Sequence, residues 1–226
     1  MKRLRDNENI FVLGIFLGLT GLLSAMVLAA ASQLTAEPRK AAKQRDFSAA
    51  LRSVMPEFDN RPGEASCIVK SPAGWDVEFF GATCGGKLVG VAGKAANPGG
   101  YAGAVEGLIG LDPDGKILKI SITSHHETPG LGAEVCSRKF RRTIFNLFDP
   151  KPEGVAPNPL LDQFEGRSAS APGQWSVKRD GGEFDARTGA TVTSRAVTLL
   201  ANEISCTYTI RRAEIIGRIC GKGEEK

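Results

Sequence analysis

The sequence predicts an α+β domain that is preceded by one N-terminal transmembrane helix. Short apolar segments separated by turn motifs predict an antiparallel sheet in the first half of the domain, and helical spacing of apolar residues follows near the C-terminus. Strands and helices that are segregated along the chain are typical of the α+β class. The 226 residues, of which 42% are hydrophobic, are sufficient for one such domain.

Composition excludes several classes of protein. The net charge is only +4 and the basic residues are dispersed, so we expect no nucleic-acid partner. The chain has two histidines and no C-x-x-C pair, which argues against a zinc ribbon or a His-rich centre. We therefore predict no metal site.

The first element is an uncharged apolar segment at residues 10–31. As a helix it would extend about 33 Å, which is enough to cross a hydrocarbon core of roughly 30 Å. A cleaved signal peptide is the alternative, but its apolar region is typically about 7–15 residues long. We interpret residues 1–9 as a cytoplasmic N-terminus and residues 10–31 as an anchor, followed by a juxtamembrane linker at 32–46 and a domain at 47–226.

The orientation of the anchor does not follow from charge alone, because basic residues flank both of its ends. A short basic N-terminus is usual for a signal anchor, and a long domain translocates largely regardless of its charge. Five cysteines are also compatible with an oxidising compartment. We expect residues 32–226 to lie outside the cytoplasm, on the periplasmic side of the inner membrane.

The elements of the domain follow from periodicity and turn residues. A short helix from Phe47 ends at Pro56, and the strongest hairpin spans residues 104–124 around the turn Asp112-Pro113-Asp114-Gly115. The other predicted strands are Cys67–Lys70, Trp75–Phe80 and Lys87–Ala92. Beyond the hairpin we predict a helix at 134–148 with a solvated basic face at 138–142, a loop at 149–182, and a helix from about Ser194 whose apolar face comprises Val197, Leu200, Ala201, Ile204 and Tyr208.

The five cysteines allow two interpretations. One pairs Cys67 with Cys84 across a hairpin and Cys206 with Cys220 near the C-terminus. The other treats all five as buried thiols that pack like small hydrophobic residues.

A segment of small residues opens the last helix, reading Asp185-Ala-Arg-Thr188-Gly189-Ala190-Thr191-Val-Thr193-Ser194. A helix N-terminus offers unpaired N–H groups and a positive dipole, so it suits a phosphate. Gly189 and Ala190 would let a ligand approach the backbone closely. From spacing alone, a simple capped helix start is the alternative.

The second polar segment runs from Ser124 to Gly132 and includes Glu127, Thr128 and Leu131. Pro129 prevents the preceding strand from continuing, so a carboxylate and a hydroxyl stand beside a tight turn. A plain connection between strand and helix is the alternative. The adjacent His125 and His126 would point to opposite faces of a strand and so would not share a metal.

Together these segments resemble a known family. Asp185-x-x-Thr188-Gly189-Ala190-Thr191 is similar to the flavinylation motif of the FMN-binding domain family, and Gly100-Tyr101 and Glu127–Gly132 resemble the G subunit of the Rnf ion-translocating electron-transport complex. The resemblance implies a phosphoester between Thr191 and FMN. It also implies that the cofactor is contacted by Glu127, Thr128, Leu131, Gly132, Thr188, Gly189 and Ala190.

The implied function is electron relay through covalent FMN in a complex that couples ferredoxin and NAD electron transfer to cation movement. The implied partners are the other membrane subunits and a flavin transferase, and the chain would have no catalytic residues of its own. One alternative is the C subunit of the sodium-translocating NADH:quinone reductase. The other is a membrane-anchored interaction domain without redox function.

Overall fold

The computed structural model describes residues 2–63, 66–140 and 154–221. The chain divides into two compact units, residues 1–47 and residues 48–226. Helix α1 (Lys2–Leu34) contains a segment, Ile10–Leu34, that is long and apolar enough to cross a membrane by length and composition. Helix α2 (Ala36–Val54) follows.

The juxtamembrane linker expected at residues 32–46 is helical except at Thr35, because α1 extends to Leu34 and α2 begins at Ala36. Its Ala, Glu, Lys, Arg and Gln residues are strong helix formers, and Pro38 lies in the first turn, where a missing N–H costs no hydrogen bond. The short helix predicted from Phe47 is confirmed as the end of α2. There Leu51 and Val54 are buried.

The sheet is a five-stranded antiparallel meander in which spatial order follows chain order. The predicted strands are confirmed, and two of them run longer than expected. The strands are β1 (Ser66–Lys70), β2 (Asp76–Cys84), β3 (Lys87–Asn97), β4 (Val105–Leu111) and β5 (Ile117–Ser124). Asp112 Oδ1 accepts hydrogen bonds from the backbone N–H groups of Asp114 (2.9 Å) and Lys116 (2.8 Å), which stabilises the predicted β4–β5 turn.

Helix α5 (Thr191–Gly221) packs on this sheet. All five residues of its predicted apolar face are buried. Side chains at Gly93 and Gly107 would overlap Ile204 and Leu200, so these two glycines allow the helix to lie close to β3 and β4. The α+β class and its packed helices are therefore confirmed.

The helix predicted at 134–148 is confirmed only to Cys136 and is wrong over residues 137–140. Helix α3 spans only Gly132–Cys136, and Ser137 is extended (φ −97°, ψ 133°). The Arg138 side chain is 8% exposed, and it donates hydrogen bonds to Ile120 O (2.8 Å) and Asp162 Oδ1 (2.6 Å). These distant acceptors hold the chain in an extended path. Residues 141–148 of the prediction lie outside the described residues.

The loop predicted at 149–182 is largely confirmed in its described part, residues 154–182, but this segment also contributes to the core. It contains helix α4 (Pro159–Asp162) and a 3-10 turn at Lys178–Asp180. Phe164 stacks on Phe184 with ring centroids 4.5 Å apart, and Trp175 packs against both rings. Glycine and proline residues predicted turns in this segment, but its buried aromatic rings also hold it against the core.

Neither predicted disulfide is present, because none of the five cysteines is in a disulfide. Cys67 lies opposite Phe79 in the sheet, and Cys84 is five positions farther along β2, about 17 Å away at the rise of a strand. Cys206 and Cys220 are fourteen residues apart on α5, or about 21 Å along a helix. Disulfides require Cα atoms within roughly 7 Å. Of the five thiols, Cys67, Cys136 and Cys206 are buried, while Cys84 and Cys220 are exposed.

The aromatic cluster generates a stability prediction. Phe164→Ala should lower the free energy of unfolding by about 3–5 kcal/mol, because a fully buried ring is replaced by a cavity. Denaturant unfolding of the detergent-solubilised chain measures this change. Ile68→Ala, at a side chain that is 59% exposed on β1, is the control and should cost about 1 kcal/mol or less. Equal losses in the two variants would contradict the assignment of Phe164 to the core.

Candidate functional site

The two predicted polar segments meet at one cavity of about 590 Å³. Cavities that hold small molecules and cofactors are typically about 300–1,000 Å³. The lining residues come from the β3–β4 loop, the β5–α3 segment, the 3-10 turn and the start of α5. They are Tyr101, Glu127, Thr128, Leu131, Gly132, Arg179, Gly189, Ala190, Thr191, Val192, Thr193 and Arg195.

A tight turn places the first residue of α5 at the cavity. The Ala190 N–H donates to Arg187 O (3.0 Å), and Gly189 has φ +82°, which the third position of a type II turn requires. Ser194 Oγ accepts from the Arg187 N–H (3.1 Å) and donates to Ala190 O (3.0 Å). Ser194 therefore fastens the turn to the first turn of the helix.

The three threonine hydroxyls of the motif have different surroundings. Thr188 is exposed and does not line the cavity, although the motif predicted it among the cofactor contacts. Thr193 is 1% exposed and its hydroxyl donates to Glu127 Oε2 (2.7 Å). Thr191 is half-buried and lines the cavity, and its Oγ1 accepts a hydrogen bond from Arg179 Nη1 (3.4 Å).

Glu127 joins three segments that are distant in the sequence. Its side chain is buried, and its Oε1 accepts from the Tyr101 N–H (2.8 Å) while its Oε2 accepts from Thr193. A side chain at Gly100 or Gly132 would overlap the carboxylate. Both oxygens of Glu127 accept hydrogen bonds within the protein, but a carboxylate oxygen can accept more than one and Glu127 lines the cavity, so its expected contact with the cofactor stays a prediction.

Thr128 and Leu131 form the wall next to Glu127. Thr128 O accepts from the Leu131 N–H (3.2 Å) and the Ala133 N–H (3.1 Å), so the backbone turns sharply and the Thr128 side chain remains exposed. Leu131 is exposed, as are Tyr101, which is 72% exposed, and Val192. The cavity therefore has an apolar rim and a few polar groups inside.

Two arginines outside the predicted set also line the cavity. Arg195 donates to both carboxylate oxygens of Asp180 at 2.5 Å, and these hydrogen bonds lower the pKa of Asp180 and raise that of Arg195. Arg179 belongs to the 3-10 turn and reaches Thr191. The missed signal is the basic turn Lys178-Arg179-Asp180-Gly181-Gly182, which sits inside the segment interpreted as a loop.

The other reactive groups near the cavity have structural surroundings. His125 is half-buried and its Nδ1 accepts from the Glu127 N–H (3.3 Å), whereas His126 is exposed. Burial, with a contribution from the nearby Glu127 charge, raises the pKa of Cys136 to about 12, so its thiol stays protonated. Within residues 2–63, 66–140 and 154–221, no group of three His, Cys, Asp or Glu side chains is placed to hold a metal ion.

Comparison with known proteins agrees with this site. Residues 100–204 match the family model of the FMN-binding domain. The chain is 34% identical to a protein of Cereibacter sphaeroides over 91% of this chain and 87% of the relative. It is 35% identical to a Cronobacter sakazakii protein, over 82% and 81% of the two chains, and 30% identical to a Pseudomonas aeruginosa protein, over 93% and 94%.

All three relatives are named as the G subunit of an ion-translocating oxidoreductase complex. The match extends over both polar segments of the cavity and over the strands and helix that carry them. The chain therefore belongs to the family of G subunits of ion-translocating oxidoreductase complexes and contains an FMN-binding domain.

Proposed function

We propose that this chain is the membrane-anchored flavoprotein subunit of an Rnf-type ion-translocating complex and relays electrons through FMN esterified to Thr191. The observation that carries the proposal is the position of Thr191, which lines the cavity, whereas Thr188 lies outside the lining and the buried Thr193 hydroxyl donates to Glu127. The relatives are named as subunits of an oxidoreductase complex, which supports a role among other subunits.

The cavity residues fit FMN. The exposed side chains of Tyr101, Leu131 and Val192 offer apolar surface for the ring system, and Thr128 offers a hydroxyl for a polar edge of the ring. Thr191 stands at the N-terminus of α5, where unpaired N–H groups and the helix dipole favour a phosphate. Bound FMN would supply the redox chemistry, while the protein sets its surroundings.

Attachment would use the Thr191 hydroxyl as a nucleophile toward an activated flavin nucleotide held by a flavin transferase. In this step the bond from Oγ to phosphorus forms and the pyrophosphate bond of the donor breaks. The hydroxyl proton is released, and a nucleoside monophosphate leaves. The net gain in mass is that of FMN less one water, and no oxidant or reductant is consumed.

An electron relay fits the site better than an independent enzyme. Glu127 is held by Thr193 and the Tyr101 N–H, and the thiol of Cys136 stays protonated, so neither is poised for acid–base or nucleophilic work. The C subunit of the sodium-translocating NADH:quinone reductase and a non-redox interaction domain are not favoured, because the relatives are named as G subunits and the FMN-binding domain is matched.

We further propose that the partners are the other membrane subunits and the transferase, and that residues 32–226 lie on the periplasmic side of the inner membrane. The apolar part of α1 supports an anchor. The basic residues before it and the need for a transferase that acts on an exported domain support the orientation.

Replacing the acceptor hydroxyl tests the attachment site. Thr191→Val should abolish the mass gain and the in-gel fluorescence of the denatured chain, because it removes only the nucleophile at the cavity. Intact-mass measurement after co-expression with a flavin transferase distinguishes the chain with the FMN adduct from the chain without it.

Thr188→Val and Thr193→Ser are the matched controls. The first removes an exposed hydroxyl from the same loop, and the second keeps the buried hydrogen bond to Glu127, so both variants should carry the adduct. A flavin that persists on Thr191→Val, with fragmentation excluding migration to neighbouring hydroxyls, would refute the assignment.

Reporter fusions after residue 226 test the topology. An export-dependent reporter should be active and a cytoplasm-only reporter inactive, because the anchor would deliver the C-terminus across the membrane. The reverse pattern would place the domain in the cytoplasm and contradict the proposal.

Glu127 and Thr128 should give opposite results when each is replaced with Ala. Glu127→Ala should destabilise the unflavinylated chain by about 1–3 kcal/mol, because buried donors lose their acceptor. Thr128→Ala should leave unfolding unchanged and shift the flavin potential by tens of millivolts, since about 59 mV corresponds to a tenfold change in a one-electron equilibrium. A Thr128→Ala variant with unaltered spectrum and potential would remove Thr128 from the cofactor contacts.

A further inference from the structure

A rigid arm, residues 175–184, carries Arg179 to the acceptor threonine. At its base Val177 and Phe184 form a parallel bridge, and the Lys178 N–H donates to Phe184 O (2.7 Å). The Trp175 N–H donates to Asn202 Oδ1 (3.1 Å) on α5. The stack of Phe184 on Phe164 then anchors the arm in the core.

The tip of the arm has a defined shape. The Gly181 N–H donates to Lys178 O (3.1 Å), and Gly181 has φ +83°, a left-handed conformation that favours glycine. A side chain at Gly182 would overlap the backbone of Ser176. The 3-10 turn is therefore held in place, and Arg179 projects from a fixed backbone.

Three basic side chains on or near the arm and the start of α5 have carboxylate partners, whereas Arg187 donates to Gly130 O (3.1 Å) and does not line the cavity. Lys178 pairs with Asp185 (2.7 Å), Arg167 with Glu183 (2.7 Å) and Arg195 with Asp180. Among the described residues no salt bridge joins Arg179 to a carboxylate, and its guanidinium donates instead to the neutral hydroxyl of Thr191. This guanidinium also lies beside the positive end of the α5 dipole. The nearby Asp180 carboxylate, whose pKa is lowered chiefly by its hydrogen bonds to Arg195 and also by the charge of Arg179, uses both of its oxygens on Arg195, so the Arg179 guanidinium can still bind an anion.

We propose that Arg179 is the phosphate-binding residue of the site and that its guanidinium binds the free oxygens of the phosphate that joins FMN to Thr191. The inference rests on the proposed function. A phosphodiester carries one negative charge. Of the two arginines that line the cavity, Arg179 is the one that has no salt bridge among the described residues. Arg195 lines the same cavity and is oriented by Asp180, so it supports the phosphate from the side of α5.

Arg179 does not act as a base in attachment, because a guanidinium has no acceptor and keeps its proton in proteins. Its planar N–H donors instead match the geometry of phosphate oxygens. Its hydrogen bond to Thr191 places the guanidinium beside the oxygen to which the phosphate would be attached. The residue therefore holds the phosphate where the nucleophile stands.

The test compares FMN with riboflavin, which lacks the phosphate, on the full chain purified in detergent without a flavin transferase. Flavin fluorescence gives the dissociation constants. FMN should bind more tightly than riboflavin. Arg179→Gln should raise the dissociation constant for FMN by about tenfold or more, because one charge-assisted hydrogen bond is lost. The dissociation constant for riboflavin should stay the same. Arg179→Lys should recover part of the difference.

Arg212→Gln is the control, because it removes the same charge from a salt bridge with Asp114 at the β4–β5 turn. It should leave both affinities unchanged. Equal weakening of FMN and riboflavin in Arg179→Gln, or equal affinity of the unmodified chain for the two flavins, would overturn the inference.

A second measurement separates this inference from the proposed function. Flavinylation should raise the melting temperature of the chain without substitutions and of the Arg212→Gln variant. In the Arg179→Gln variant the rise in melting temperature should be much smaller. If the unmodified chain never acquires the adduct but FMN binding depends on Arg179, covalent attachment fails and the phosphate site stands. Slower attachment to Arg179→Gln with unchanged FMN affinity would show that the transferase recognises Arg179, and would overturn the phosphate site.

Discussion

The buried carboxylate of Glu127 is the constraint on which the site depends. A buried charge is costly unless it is paired or fully hydrogen-bonded, and here the donors are the Thr193 hydroxyl and the Tyr101 N–H. These groups belong to the first turn of α5 and the β3–β4 loop, whereas Glu127 follows β5. Loss of the carboxylate would release both segments, and so the wall of the cavity.

Core packing determines where the Thr191 hydroxyl lies. Glycines at positions 93 and 107 let α5 approach the sheet, and the contacts of Ile204 and Leu200 with them set how the helix lies on β3 and β4. Thr191 is the first residue of that helix, so contacts two and more turns away place it at the cavity. The sheet thereby acts as a rigid support for a site made of loops and one helix end.

Local patterns in the sequence predicted the elements with local causes. Alternation predicted β5, Asp112 and Gly115 predicted its turn, and the 3.6-residue period predicted the buried face of α5. The two motifs in the sequence also predicted Glu127 and Thr191 as residues of the cofactor site. Arg138 and Arg179 were missed because their roles depend on partners far along the chain, Asp162 for the first and Thr191 for the second. A salt bridge or a rigid arm between distant segments leaves no periodic pattern of residues, so a single sequence does not reveal it.

The open, apolar character of the cavity explains why a tether would suit a relay. Tyr101, Leu131 and Val192 present exposed apolar surface at its rim, so a ring bound there would keep an edge accessible for electron transfer to a partner subunit. The same exposure limits the apolar area that binding removes from water, and hence the affinity that burial alone provides. A phosphoester at Thr191, held electrostatically by Arg179, would retain the cofactor without enclosing it. The rim residues would then keep the ring accessible, while Thr191 and Arg179 would keep it attached.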